Sequence, residues 1–205
     1  MAENKESLLK MILSLGLITI SAALILGNGY MITKDVIAMG ENTAKLEAIT
    51  KVAPKYDNNP IAEKFIFKAH EGTKDSVTIV VYPAKLNNKL VGAAVESISY
   101  NGFAGEVEVM YGFTIDGSIF DYKVLKHTET AGLGSKMEKW FRTDKNRQSI
   151  LLRNPSKENM TVTKDGGTVD GITAATISSR AFLGALKDAS DAFIAYRDGG
   201  TQRNE

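Results

Sequence analysis

Four side-chain hydroxyls, Thr173, Thr176, Ser178 and Ser179, crowd into the stretch "TVDGITAATISSRAFLGALKDASDAF", residues 168–193. A helix entry needs only one capping oxygen, so the surplus asks for a ligand or for a further structural role. Behind the hydroxyls, Phe182, Leu186, Ala189 and Phe193 recur at helical spacing. The pattern predicts a helix capped by Ser178 or Ser179, running to about Arg197 and stopped by Gly199 and Gly200. Its first turn would present unpaired N–H groups and the positive end of the helix dipole, which together suit a phosphate. The small side chains of Ala174 and Ala175 leave room for one. A redundant cap on a core helix accounts for the same residues, and spacing alone does not separate the two.

A second stretch with chemical potential is "HTETAGLGS", His127 to Ser135. Gly132 and Gly134 let the backbone approach a flat ligand closely, while Glu129 and Thr130 bring an acceptor and a hydroxyl to the same loop, with Leu133 between the glycines. An ordinary glycine-containing connection between a strand and a helix reads the same way. His127 and Glu129 alternate onto one side of a strand, a spacing compatible with metal binding, but a surface His-Glu pair is the preferred reading.

Composition narrows what either stretch can do. Cysteine is absent from the 205 residues, which removes disulfides, thiolate-held iron–sulfur clusters, zinc ribbons and cysteine nucleophiles together. The only imidazoles are His70 and His127, far apart in sequence, so no metal site is expected. Redox chemistry would have to come from an organic cofactor or from a metal held by other ligands. The 25 basic residues balance 24 acidic ones, giving a formal net charge of +1 and no electrostatic case for nucleic acid.

The elements that must position these stretches follow a membrane-type beginning. Residues 1–10 form a short N-terminus, and Met11 to Thr33 carries no charged residue, long enough to cross a bilayer as a helix. A cleaved signal peptide is the competitor, but the run outlasts a typical signal core and no small-residue cleavage site follows. Lys5 and Lys10 before the span place the N-terminus in the cytoplasm and the remainder outside it. Residues 34–75 read as a helical linker region: a helix from Lys34 to about Val52 interrupted near Gly40, a break at Pro54, and a short helical piece at Ile61 to Lys68. A domain over residues 76–205 then opens with strand signals. Ser76 to Ala84 and Lys89 to Ser99 flank Asn87-Asn88, a hairpin turn. Val107, Val109, Tyr111, Phe113 and Ile115 alternate, Asp116-Gly117 turns, and Ile119 to Leu125 returns. With helices at Ser135 to Arg142 and after Ser178, the fold class is α+β: a transmembrane helix followed by an antiparallel sheet with flanking helices.

"DGITAATISS" resembles the flavinylation motif, Asp-x-x-Ser/Thr-Gly-Ala-Thr/Ser-x-Ser/Thr, of the FMN-binding domain family. That family includes the G component of Rnf electron-transport complexes and the C component of sodium-translocating NADH:quinone reductase. "HTETAGLGSKMEKWF" resembles a second family block, His-x-Glu-Thr-Pro-Gly-Leu-Gly with a following aromatic pair, and "YNGFAGEVEVMYGFTIDGSI" resembles the glycine-rich hairpin before it. The likeness runs from about Tyr100 to Phe193. Two positions depart from the pattern: Ala174 stands where the family usually has Gly, and Ala131 where it usually has Pro.

The resemblance implies FMN held through a phosphoester on Thr176, the motif's acceptor, with Thr173, Ala174, Ala175 and Ser178 around it. Glu129, Thr130, Gly132, Leu133 and Gly134 would border the isoalloxazine ring. Thr176 then accepts the cofactor and takes no catalytic part, the redox chemistry belonging to the flavin. The implied protein is a single-pass flavoprotein of a bacterial inner or plasma membrane, with the FMN domain on the outer side. It would be an electron-transfer subunit of an ion-translocating oxidoreductase, not catalytic alone, in a complex that couples ferredoxin or NAD redox chemistry to Na+ or H+ movement. Its partners would be the other subunits of the complex, the bilayer and a flavin transferase for maturation. Compact length and short inserts favour the Rnf component over the quinone-reductase one. A membrane-anchored FMN-binding sensory or regulatory domain is the alternative from another class.

Overall fold

In the computed structural model the chain is described at residues 2–70, 72 and 76–199. Residues 1, 71, 73–75 and 200–205, including Gly200 of the expected helix stop, lie outside the described residues. The chain divides into two compact units, Met1–Lys45 and Leu46–Glu205.

The first unit is helix. Helix α1 spans Ala2–Val52, and within it Lys10–Lys34 is apolar and long enough to cross a membrane. At a rise of about 1.5 Å per residue this stretch extends about 37 Å, against a hydrocarbon core of about 30 Å. Its polar side chains turn inward on their own backbone: Ser14 bonds the Met11 carbonyl, Thr19 that of Gly16, Asn28 that of Leu24 and Thr33 that of Gly29. Such local bonds satisfy donors that lipid cannot. The expected interruption near Gly40 is absent, and α1 continues to Val52. One glycine in a helix costs only about 1 kcal/mol, and the helix formers around it carry the turn.

The second unit is a five-stranded antiparallel sheet in sequential order. Its strands are β1 (Phe65–Ala69), β2 (Val77–Leu86), β3 (Lys89–Ser99), β4 (Val107–Thr114) and β5 (Ile119–His127). Asn87 and Asn88, at φ 51 and 63, make the β2–β3 turn, and Gly117, at φ 87, the β4–β5 turn. The β1 strand replaces the short helical piece expected at Ile61 to Lys68. Phe65, Ile66 and Phe67 are aromatic or β-branched, and Phe65 pairs with Val81 and Phe67 with Ile79, so tertiary pairing decides the conformation of a short apolar run. The compact unit therefore begins well before the expected boundary at Ser76.

Both faces of the sheet are covered. Helix α3 (Thr176–Arg197) lies on one, where Phe182 packs against Tyr111, Tyr122 and Phe141 at 5.4, 5.0 and 4.4 Å between ring centres. Tyr111 donates to the Phe182 carbonyl at 2.7 Å, tying helix to strand. Burial pushes both the Tyr111 and the Tyr122 phenol well up, so both remain neutral donors. On the opposite face, Ala48, Ile49 and Val52 from the last turn of α1 pack with Tyr82, Ala84, Ala94 and Met110. Gly112 of β4 permits this approach, since a Cβ there would lie 1.7 Å from the Val52 carbonyl oxygen.

Two helix expectations change. The Ser135 to Arg142 helix is shorter: a 3-10 turn at Gly134–Lys136 runs into α2 (Met137–Trp140). Neither Ser178 nor Ser179 caps α3, which starts at Thr176 behind Ala175 with no side-chain cap. Their hydroxyls are occupied: Ser179 donates to the Ala175 carbonyl at 2.9 Å and accepts from the Ile172 amide at 2.8 Å, while Ser178 reaches another loop.

Candidate cofactor site

Glu129 organises the site. It follows β5 and is buried, and one carboxylate oxygen accepts the Ala104 amide at 3.1 Å while the other accepts the Ser178 hydroxyl at 2.6 Å. Three segments thus converge on one side chain: the β3–β4 connection, the loop after β5 and the first turn of α3. Thr128 adds a bond to the Ala104 carbonyl at 2.8 Å. Glycine is required on both sides of the carboxylate. A Cβ on Gly102 would sit 2.6 Å from Glu129 Oε1, and one on Gly134 would sit 2.6 Å from both Glu129 Oε2 and Ser178 Oγ. Gly134 therefore makes room for a buried hydrogen bond.

The segment before α3 is braced by Asp170. Its carboxylate accepts the Arg147 amide at 3.2 Å and its carbonyl accepts the Trp140 indole N–H at 2.8 Å. The chain then turns through Ala174 at φ 62, a left-handed conformation that a Cβ disfavours. The departure at Ala174 thus falls where glycine would relieve the strain. The turn sets Thr176 as the first residue of α3, half-buried, and the amides of Thr176, Ile177 and Ser178 have no acceptor among the described residues.

Two clefts meet at Thr176. The first, about 330 Å³, lies between the Glu129 loop and the start of α3, and Glu129, Thr130, Leu133, Gly134, Ala174, Ala175, Thr176 and Ser178 all line it. Its apolar rim is Phe103, Leu133 and Ile177, which expose 69, 39 and 46% of their surface. The second, about 360 Å³, is polar and includes Trp140, Gln148, Lys164, Asp170, Thr173 and Thr176. Lys164 Nζ donates to Thr176 Oγ1 at 3.3 Å.

Most residues singled out from sequence therefore come together. Thr173 is exposed and lines the polar cleft only, and Gly132, at φ 74, shapes the loop without lining either. Ser178 and Ser179 both donate their hydroxyls to protein partners, and Ser178 lines the first cleft as well. The four hydroxyls divide into two that lock the turn and two that face the clefts. His127 accepts the Glu129 amide at 3.2 Å and lies 3.5 Å from Glu138, and no group of three metal-ligating side chains occurs among the described residues. Sequence reasoning missed Phe103, Ile177 and Lys164. An exposed aromatic in "NGFAG" was a usable signal for the first; Lys164 carried none.

The sequence matches the FMN-binding domain family over residues 102–191, a span that contains every residue lining the first cleft. It is also similar to a protein of Aliivibrio fischeri (strain MJ11), 32% identical over 182 residues and 86% of each chain. A protein of Cereibacter sphaeroides is 31% identical over 192 residues, 90% of this chain and 84% of the relative. One of Pasteurella multocida is 30% identical over 166 residues, 78 and 81% respectively. All three are named as the G component of an ion-translocating oxidoreductase complex.

Proposed function

The chain belongs to the family of G components of ion-translocating oxidoreductase complexes, and on that premise we propose that it carries FMN esterified to Thr176 and relays electrons within an Rnf-type complex. It is a flavin-binding electron-transfer subunit with an N-terminal helix long and apolar enough for a membrane anchor. The observation that carries the attachment is the position of the Thr176 hydroxyl where an apolar cleft and a polar one meet. A flavin nucleotide has that same division, a flat apolar ring and a charged phosphate.

The residues fit the group. The first cleft falls in the range of about 300–1,000 Å³ usual for ligand sites, and Phe103, Leu133 and Ile177 offer apolar surface for a ring that would cover them. Free amides at the start of α3 and the Lys164 ammonium favour an anion on Thr176. When bound, FMN supplies the electron-transfer chemistry, while the protein fixes its position and excludes water from one ring face. Lys5 and Lys10 before the span support a cytoplasmic N-terminus and a domain on the outer side, where a covalent tether prevents loss of a cofactor that could not readily be replaced. A flavin transferase would install it.

The test is mass spectrometry of the peptide spanning residues 165–180 after co-expression with a flavin transferase. An FMN-sized addition on Thr176 is expected, lost in Thr176→Ala and kept in part by Thr176→Ser, whose primary hydroxyl retains the nucleophile. Flavin on Thr173 or Ser178, or on no residue despite an active transferase, would defeat the assignment.

A further inference from the structure

Lys164 sits in a 3-10 turn, Thr163–Asp165, ended by Gly166 in a left-handed conformation (φ 82) and closed by the bridge between Val162 and Val169. The closure is tight, since a Cβ on Gly167 would lie 2.0 Å from the Thr161 carbonyl oxygen. The turn is then fastened to α3. Asp165 accepts two hydrogen bonds from Arg180, at 2.8 and 2.7 Å, and Arg180 follows Thr176 by one helical turn, on the same face. The Arg180 guanidinium holds the Asp165 carboxyl below the usual carboxylate range.

Around the polar cleft, Lys164 stands outside the close ion pairs of the described residues. Asp165 is taken by Arg180 and Asp170 is held by Arg147, at 3.5 Å. Lys164 makes no salt bridge among the described residues, acts on the neighbouring Asp165 carboxylate only through longer-range attraction, and donates its one hydrogen bond there to the Thr176 hydroxyl. An exposed ammonium would ordinarily have no reason to keep one geometry. Here the bidentate Asp165–Arg180 pair holds its backbone in place.

We propose that Lys164 is the counter-ion that positions the flavin phosphate on Thr176. This rests on the reading that Thr176 is the attachment residue. Attachment is phosphoryl transfer without change of oxidation state: the Thr176 Oγ1–P bond forms, the hydroxyl proton is released, and a P–O bond breaks in an activated flavin nucleotide whose leaving group departs with the electron pair. The product phosphodiester keeps one negative charge on its non-bridging oxygens. The ammonium that donates to Oγ1 would hold those oxygens by exchanging a neutral acceptor for a charged one, which would strengthen the bond. Lys164 is thus a positioning residue, with no proton or electron passing through it.

The experiment compares the full-length wild type with Lys164→Met and Lys164→Arg, each co-expressed with a flavin transferase. Covalent loading is followed by flavin fluorescence of the denatured band, and the loaded proteins by 31P NMR. Lys164 is exposed, so both variants fold, which circular dichroism checks. Lys164→Met should load roughly tenfold more slowly, and Lys164→Arg within about threefold of wild type, because the charge is retained. The 31P resonance should be insensitive to added potassium chloride in the wild type and move with it in Lys164→Met, where mobile cations replace the ammonium. A Lys164→Met protein that loads at the wild-type rate with an unchanged 31P response would overturn the proposal, as would a Lys164→Arg protein as slow as Lys164→Met. Wild type without flavin on Thr176 would instead overturn the attachment itself, so the two failures are distinguishable.

Discussion

Ser178 Oγ donates to Glu129 Oε2 at 2.6 Å, a buried bond joining two segments 49 residues apart in sequence. It converts two separate loop motifs into one wall of the candidate flavin cleft. Ser178→Ala would leave a buried carboxylate oxygen without its donor, at a cost of about 1–3 kcal/mol. The expected outcome is a lowered urea midpoint and slower flavin loading, even though Thr176 is untouched. Wild-type stability in this variant would refute the bracing role.

Gly134→Ala should be more damaging than its small volume suggests. The new methyl meets Glu129 Oε2 and Ser178 Oγ at 2.6 Å each, so the hydrogen bond must open, and overpacking of this kind costs about 1–3 kcal/mol. Chemical denaturation measures it. Gly132→Ala gives a contrast, since its methyl meets nothing and only the φ of 74 is strained.

Ala174→Gly should stabilise the domain. Relief of a left-handed alanine gains about 1–2 kcal/mol, and the greater freedom of glycine in the unfolded chain returns about half of that. Thermal unfolding should shift upward, and loading by a flavin transferase should remain intact or improve. A lower melting temperature would show that the turn tolerates the Cβ.

Phe103→Ala tests the ring face. Phe103 is exposed on the cleft rim and holds no hydrogen bond of the fold, so stability should change little. The absorbance and fluorescence of attached flavin should change while covalent yield stays constant. Unaltered spectra would move the ring elsewhere.

Acid sensitivity has an identifiable contributor outside the site. The Lys85 ammonium, and then Asn58, hold the Glu63 carboxyl below its ordinary value. A carboxylate with a depressed folded-state pKa contributes stability above its unfolded value and loses it as pH falls through the folded value. Glu63→Gln should therefore flatten the fall of the urea midpoint below about pH 4.5, and leave the slope near neutrality unchanged.

How far the sequence could be read varied with how local the signal was. The β2–β3 and β4–β5 hairpins were legible because alternation is a local pattern and Asn87, Asn88, Asp116 and Gly117 mark the turns. Strand β1 was not, because Phe65 to Lys68 is a short apolar run whose state depends on pairing with β2. In the site, Glu129, Leu133, Gly134 and Thr176 stood out by residue type and motif. Ser178 and Ser179 stood out too, but as caps, since nothing near them in sequence announces Glu129 or Ile172 as partners. Lys164 was invisible for the same reason: its direction depends on Asp165 meeting Arg180 across the fold.

The last turn of α1 belongs to the core of the sheet domain, and this fixes where the protein can be cut. A fragment starting at Ser76 would lose β1, baring the edge of β2, and strip Ala48, Ile49 and Val52 from Tyr82, Ala84, Ala94 and Met110. An uncovered strand edge beside an apolar face is a recipe for self-association. A soluble fragment fit for flavin loading has to begin after the apolar run and before Leu46, keeping a length of helix that sequence inspection alone assigns to the linker.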